Sequence, residues 1–169
     1  NNSIISNNIK NNDRFGISLT YSSNNMIAEN DITANGRCGV YLYDSSSNNT
    51  IEANSIVANN GEGIWLYSSS DNNTIVGNNM VSNNYDGILV EQSSNNTIYG
   101  NNMTENNYGI HLIKSSSNGI YFNNVTNNNN GIALNESSAI TLRNNHLHGN
   151  EYNFGVVGGE LIEFLHDID

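Results

Sequence analysis

Apolar residues recur along this chain in a repeat of 22 to 24 residues. The clearest unit is a glycine followed by two apolar positions that lie two residues apart, as in Gly63-Ile64-Trp65-Leu66. Because side chains two residues apart share one face of a strand, this unit predicts a short strand with one apolar face. A period this constant is typical of a solenoid. The unit begins at Gly16, Gly39, Gly63, Gly87, Gly109 and Gly131, and Gly155-Val156-Val157 begins a broken seventh unit.

Two further apolar positions in each repeat are each followed by an asparagine three residues later. In the third repeat they are Ile51 with Asn54 and Ile56 with Asn59. No segment between these positions is long enough for a capped helix with an apolar stripe. The pattern therefore predicts an all-β fold, a parallel β-helix of about seven coils with three short strands in each coil.

The asparagines and glycines are predicted to form the corners of the coils. Asparagine tolerates left-handed backbone, its side chain can satisfy turn amides, and stacked asparagines can bond to one another in a ladder. Glycine supplies backbone freedom at a third corner. A leucine-rich repeat is the alternative, but its unit carries one asparagine and often a helix. The two asparagine columns are Asn7, Asn30, Asn54, Asn78, Asn101, Asn123 and Asn145, and Asn12, Asn35, Asn59, Asn83, Asn106, Asn128 and Asn150.

The repeat breaks at Gly158-Gly159, which divides the chain into a predicted β-helix of residues 1–157 and a terminal segment of residues 158–169. That segment alternates apolar and acidic residues, so we expect a cap over the last coil or a linker to a following domain. Asn1 enters inside a repeat without an initiator methionine or signal peptide, which indicates a mature product or an excised piece. An open first coil would then stack on missing coils or on another subunit, head to tail. The apolar residues of the terminal segment are Leu161, Ile162, Phe164 and Leu165.

Composition excludes several classes of function. The formal net charge is −11 with only five lysines and arginines, which argues against a nucleic-acid surface. No apolar run approaches the roughly 20 residues of a membrane span. Cys38 is the only cysteine, so a disulfide framework is impossible and a thiol-based metal site is not expected.

The run N-N-T-I-x-x-N-x-I-x-x-N-x-x-x-G-I-x-L-x-x-S-S resembles the repeat of the NosD-like family of right-handed parallel β-helices, which are grouped with carbohydrate-binding and sugar-hydrolase β-helices. The resemblance covers roughly residues 1–157 and implies a right-handed β-helix. It also implies an extracellular, cell-surface or periplasmic location. The family name comes from a periplasmic accessory protein of nitrous oxide reductase maturation that is often labelled copper-binding.

Four aromatic residues are predicted to form a patch on the outer face of the G-I-x-L strands. If the apolar residues point inward, then the position between them and the position after them point outward. On two adjacent coils those positions are Tyr41, Tyr43, Trp65 and Tyr67. Such a patch suits a sugar or a protein partner, or it stabilises the sheet by cross-strand stacking.

Charged residues gather just before the glycines of the G-I-x-L units. Glu62 and Asp86 occupy the same position on neighbouring coils, with their backbones expected ~4.8 Å apart. Two such carboxylates could bind Ca²⁺ or serve glycoside hydrolysis, and Arg14 and Arg37 nearby could bind an acidic sugar. The plain alternative is a set of solvated corner charges.

The copper label of the family makes methionine and histidine side chains candidate ligands for a soft metal. Met80 and Met103 are stacked but predicted to point inward as core residues. His146 and His148 alternate along one strand with Leu147 between them, so both point outward and could share a metal. No third ligand is evident, and the sequence predicts no copper site and no obligatory cofactor.

The sequence therefore predicts a non-catalytic secreted or cell-surface module that acts as a rigid structural or assembly unit. It would bind polysaccharide or glycoprotein glycans through Tyr41, Tyr43, Trp65 and Tyr67, or contact other surface proteins, or associate through its ends. A polysaccharide-active hydrolase, lyase or epimerase is the first alternative, and a periplasmic copper-maturation accessory protein is the second. Glycosylation sequons, which also arise from the repeat itself, begin at Asn1, Asn48, Asn72, Asn95, Asn102, Asn124 and Asn135.

Overall fold

The computed structural model describes residues 1–158 and the strand Glu163–Phe164. In these residues the chain is all-β and winds through a parallel β-solenoid with three strands in each coil. Every strand pairs in parallel with the equivalent strand of the next coil. The predicted fold class is confirmed. Within the part of the chain described, no helix is long and apolar enough to cross a membrane.

The first sheet contains β1 (Ser3–Ile5), β4 (Met26–Ala28), β7 (Thr50–Glu52), β10 (Thr74–Val76), β13 (Thr97–Tyr99), β16 (Gly119–Tyr121), β19 (Thr141–Arg143) and β22 (Glu163–Phe164). The second sheet contains β2 (Asn8–Lys10), β5 (Asp31–Thr33), β8 (Ser55–Val57), β11 (Asn79–Val81), β14 (Asn102–Thr104), β17 (Asn124–Thr126) and β20 (His146–His148). The third sheet contains β3 (Ile17–Thr20), β6 (Val40–Tyr43), β9 (Ile64–Tyr67), β12 (Ile88–Glu91), β15 (Tyr108–Ile113), β18 (Asn130–Asn135) and β21 (Tyr152–Val157).

The core is built from stacked columns of single apolar residues. The middle residue of each three-residue strand points inward, as Ile51 does on β7 and Ile56 on β8, and both are fully buried. Met80 and Met103 pair in register within this core, as predicted. Because each strand contributes only one or two inward residues, the rod has a narrow apolar interior and three outer faces.

Asparagine ladders hold the corners of the coils. The Asn54 side chain donates from Nδ2 to the Ile27 carbonyl and to Asn78 Oδ1, each at 2.9 Å. The Asn54 backbone N–H donates to that same Asn78 Oδ1 at 2.9 Å. Buried amides therefore satisfy the turn backbone, and the two predicted ladders are confirmed. Sequence reasoning missed a third ladder, Asn25, Asn49, Asn73, Asn96 and Asn118, and a serine column, Ser46, Ser70, Ser93, Ser115 and Ser137.

The backbone conformation predicted for asparagine and glycine at the corners was wrong, whereas the predicted role of the asparagine amide was right. The left-handed conformation falls on the residue before each ladder asparagine, as at Ala53 (φ 51°) before Asn54. The asparagine is needed for its amide and not for its backbone. At Gly63 an added Cβ would lie 2.6 Å from the carbonyl oxygen of Gly87, so glycine is required by close coil packing.

The seventh coil is shifted relative to the sequence prediction. Phe154 pairs with Ile132 and Gly155 with Ala133, so Gly155 occupies an outward position and does not begin the unit. The strand alternation of β18 continues into β21, and this pairing places Phe154 against the core. The predicted terminal cap falls on residues outside those described, apart from β22, which pairs with β19.

Candidate functional site

The outer face of the third sheet carries a cluster of five aromatic rings across the first three coils. The Phe15 and Tyr41 ring centroids lie 4.7 Å apart, and those of Tyr41 and Trp65 lie 4.9 Å apart. Tyr43 and Tyr67 pack alongside at 5.5 Å with an interplanar angle of 14°. The rings therefore follow the rod axis from coil to coil, and we call these five residues the aromatic cluster.

The rings of the aromatic cluster partly cover one another. Tyr41, Tyr43, Trp65 and Tyr67 are half-buried, and burial raises the pKa of Tyr41 to about 12. Trp65 Nε1 is buried and has no hydrogen-bond partner among the described residues. Ring-on-ring packing of this kind stabilises the sheet. The partly exposed rings also leave a continuous aromatic surface for a ligand.

Two arginines flank the first ring of the aromatic cluster. The guanidinium carbons of Arg14 and Arg37 lie 5.8 and 5.6 Å from the Phe15 ring centroid. Both arginines are exposed, and neither forms an ion pair with any residue that the structure describes. Their guanidinium groups are therefore free to bind a carboxylate while resting on an aromatic face.

The structure gives Glu62 and Asp86 different partners. Their backbones stack in one column, because the Gly63 N–H donates to the Asp86 carbonyl at 2.8 Å. The Cys38 thiol donates to Glu62 Oε2 at 2.9 Å, and Asp86 turns to the next coil. Each carboxylate thus has its own hydrogen-bond donor, Cys38 for Glu62 and His111 for Asp86, and the calcium or catalytic pair stays a prediction.

Asp86 forms a buried pair with His111 that the sequence reasoning missed. His111 Nδ1 lies 3.1 Å from Asp86 Oδ2, and Asn135 Nδ2 lies 3.0 Å from His111 Nε2. The Tyr108 ring stacks on the imidazole at 4.3 Å. With Asn135 as donor to Nε2, the imidazole carries its proton on Nδ1 and donates to the carboxylate.

Burial sets the electrostatics of this pair. Asp86 is 6% exposed, and desolvation raises its pKa above the usual range, while the bond from His111 opposes the shift. Repulsion from Glu62 adds to the increase in the pKa of Asp86. The sequence contained one signal for this contact. Asp86 precedes a repeat glycine, and His111 is an outward residue on the next coil.

The described residues do not fit a soft copper site. The thioethers of Met80 and Met103 are fully buried in the core, and burial raises the pKa of the Cys38 thiol. No group of three or more His, Cys, Asp or Glu side chains that could hold a metal ion occurs in the part described. His146 and His148 do point outward together, as predicted, with ring centroids 6.0 Å apart.

Comparison with known proteins places the chain among right-handed β-helices. Residues 1–84 match the family described as "Right handed beta helix region". Residues 76–160 match the family described as "Periplasmic copper-binding protein (NosD)". A search of curated proteins by sequence found no match.

Solved structures with the same architecture include several polysaccharide-active enzymes. A variant of the periplasmic alginate epimerase AlgG is 25% identical, with a TM-score of 0.77 over 80% of this chain and 33% of that chain. The A-module of the Azotobacter vinelandii mannuronan C-5 epimerase AlgE6 is 15% identical, with a TM-score of 0.75 over 95% of this chain and 58% of that chain. Pectate lyase Pel9A is 15% identical, with a TM-score of 0.64 over 87% of this chain and 54% of that chain.

This chain thus spans about a third of the AlgG structure and somewhat more than half of the other two. The two lower identities concern the fold alone. Since the match over residues 76–160 takes in half of the sequence and the coils continue through the rest, the chain belongs to the NosD family of right-handed parallel β-helix proteins.

Proposed function

We propose that this chain is a periplasmic or cell-surface β-helix module that binds an acidic polysaccharide along the outer face of the third sheet without cleaving it. The observation that carries the proposal is the aromatic cluster, which spans three consecutive coils and ends at two exposed arginines. Aromatic side chains offer apolar surface with polar tips, which suits the mixed character of a sugar.

The distribution of charge favours an acidic ligand at one end of the rod. The chain has five lysines and arginines, and Lys10, Arg14 and Arg37 lie in the first two coils. Lys114 is taken up by an ion pair with Glu136 at 3.8 Å. The acidic residues on the rest of the chain would repel a polymer that carries carboxylates. We therefore expect the two arginines to bind the carboxylates at one end of the ligand and the aromatic cluster to contact the adjoining sugars.

The similar proteins support this choice of ligand and location. The similar structure at 25% identity is named as a periplasmic alginate epimerase. The matching NosD family is also described as periplasmic. A rigid β-helix whose corners are held by buried amides presents such a ligand surface without rearrangement.

The test is retention on immobilised alginate and pectate, with a neutral glucan as the reference. Trp65→Ala should reduce retention on the acidic polymers at least about tenfold, because interface residues of this kind act as binding hot spots. Tyr99→Ala removes an exposed aromatic ring on the first sheet and is the matched control. Equal retention of wild type and Trp65→Ala, or equal loss in Tyr99→Ala, would show that the aromatic cluster serves only the fold.

The buried pair favours a second candidate function, acid–base chemistry on the same polysaccharide. Asp86 and His111 are hydrogen-bonded beside the third sheet, and a buried carboxyl group with a raised pKa is typical of active sites. Measurement of product length and of sugar stereochemistry after incubation decides between the candidates. Shortened or epimerised chains that disappear in His111→Gln would establish an enzyme, and retention with neither change would establish a binding module.

A further inference from the structure

A groove lined by polar side chains runs along the corner between the second and third sheets. Its volume is about 510 Å³, within the range of roughly 300–1,000 Å³ that is usual for small-ligand sites. It crosses the fourth, fifth and sixth coils, directly after β11, β14 and β17, and its floor is the buried ladder at Asn83 and Asn106. The walls are Ser82, Glu105 and Asn127 on one side and Asn84, Asn107 and Asn129 on the other.

The walls of the groove carry hydrogen-bonding groups that the fold does not use. Asn129 donates from Nδ2 to Asn107 Oδ1 at 3.1 Å, and this leaves Asn107 Nδ2 and Asn129 Oδ1 without partners among the residues that the structure describes. Equivalent groups on successive coils lie about 4.8 Å apart, so the groove offers donors and acceptors at a regular interval. A hydroxyl group both donates and accepts, and a ligand with several hydroxyls therefore matches this wall.

One carboxylate lies on the opposite wall of the groove. Ser82 Oγ donates to Glu105 Oε2 at 2.7 Å, so the carboxylate is held in place while Oε1 has no partner in the described part of the chain. The lining includes no lysine or arginine, and the exposed Glu151 takes the position of Asn129 on the next coil. The groove therefore favours a ligand with a positive charge and repels an anion.

We propose that this groove binds an amino sugar with a free amine, whose ammonium group contacts Glu105 and whose hydroxyls contact Asn107 and Asn129. A neutral sugar would leave the carboxylate without a counter-charge, and a simple polyamine would leave the amides of the other wall unmatched. The site lies outside the aromatic cluster and prefers the opposite charge. The rod could then hold an acidic polysaccharide on the third sheet and an amino-sugar glycan at this corner.

The repeat supplies a matched control for the carboxylate. Ser6 Oγ donates to Glu29 Oε2 at 3.1 Å on the corner between the first and second sheets, which is the same exposed arrangement outside the groove. Calorimetry with a glucosamine tetramer should show weaker binding by at least about threefold in Glu105→Gln, because an exposed charged contact is lost. Glu29→Gln should bind as the wild type does. Equal losses in the two variants would reveal attraction to the acidic protein as a whole and would overturn the proposal.

Further measurements separate an amino sugar from other ligands. The N-acetylglucosamine tetramer lacks the charge and spermidine lacks the hydroxyls, so each should bind at least about threefold more weakly than the glucosamine tetramer. In nuclear magnetic resonance spectra the side-chain amide signals of Asn107 and Asn129 should shift on titration with that tetramer. The signal of Asn72, which is exposed at the corner between the third and first sheets, should not. Equal affinity for either comparison ligand, or unshifted Asn107 and Asn129 signals, would contradict the assignment.

Discussion

His111 Nδ1 lies 3.1 Å from Asp86 Oδ2 across the boundary between two coils of the third sheet. The two residues are 25 positions apart in the chain, close to one repeat, and each is less than a tenth exposed. The contact therefore connects successive coils through a charged group inside a row that elsewhere carries aromatic and aliphatic residues. Its protonation links the stability of the rod to pH.

Asp86→Asn should reduce the pH dependence of stability. The folded-state pKa of Asp86 is raised, chiefly by desolvation, above the unfolded value of about 3.9. A raised pKa means that the contribution of Asp86 to stability is fully present below the unfolded pKa and is lost as pH rises through the folded pKa. Urea midpoints measured from pH 4 to pH 7 should fall less in the variant, which still accepts the bond from His111. A parallel fall in both proteins would contradict this assignment.

Asn54→Leu should destabilise the rod by about 1–3 kcal/mol for each backbone group left without a partner. The variant removes the amide that satisfies the Ile27 carbonyl and the oxygen that accepts from the Asn30 N–H, both at 2.9 Å. Asn79→Leu, on the exposed face of the next coil, is the control and should change the unfolding free energy by about 0.5 kcal/mol or less. Similar urea midpoints for the two variants would mean that the buried ladder is not a major source of stability.

Gly63→Ala should destabilise the protein by about 1–3 kcal/mol through overpacking. The new Cβ would lie 2.6 Å from the Gly87 carbonyl oxygen and 3.0 Å from Met80 Cγ. Gly155→Ala is the matched substitution on the same sheet, because no atom lies within 4 Å of its added Cβ. Thermal unfolding should rank Gly63→Ala well below Gly155→Ala, and the reverse order would show that the coils can separate to admit a methyl group.

Cys38 should react slowly with thiol reagents in the native protein. Burial is the main cause that raises the pKa of its thiol, followed by the charge and hydrogen bond of Glu62. Because the thiolate is the reactive form, a disulfide reagent at neutral pH should modify Cys38 quickly only after unfolding. Glu62→Gln removes the neighbouring charge and should increase the native rate. If Cys38 reacted equally slowly in the Glu62→Gln variant, burial alone would account for the low reactivity of the thiol.

Much of the fold could be predicted because it follows from the regular spacing of apolar and asparagine residues along the chain. The spacing of Ile51 and Ile56 predicts two columns of buried side chains, and that of Asn54 and Asn59 predicts two asparagine ladders. Because these residues recur at a near-constant interval, the chain is predicted to form stacked coils. The aromatic cluster was also predicted apart from Phe15, since Tyr41 and Trp65 occupy equal positions on adjacent repeats. Each of these predictions compares a residue with its counterpart one period away.

Contacts between unequal positions of the repeat were decided only by the tertiary structure. Asp86 is hydrogen-bonded to His111, and Cys38 donates to Glu62, the other carboxylate of the expected acidic pair. Periodicity does not specify how far a side chain reaches into a neighbouring column. Gly63 illustrates the same limit, since the distance between coils and not backbone freedom requires it. The sequence by itself determined the coils and, up to the sixth coil, their inward columns, because burial of apolar residues depends on spacing along the chain. The partners on the outer faces depend on side-chain reach across neighbouring coils, which only the folded rod defines.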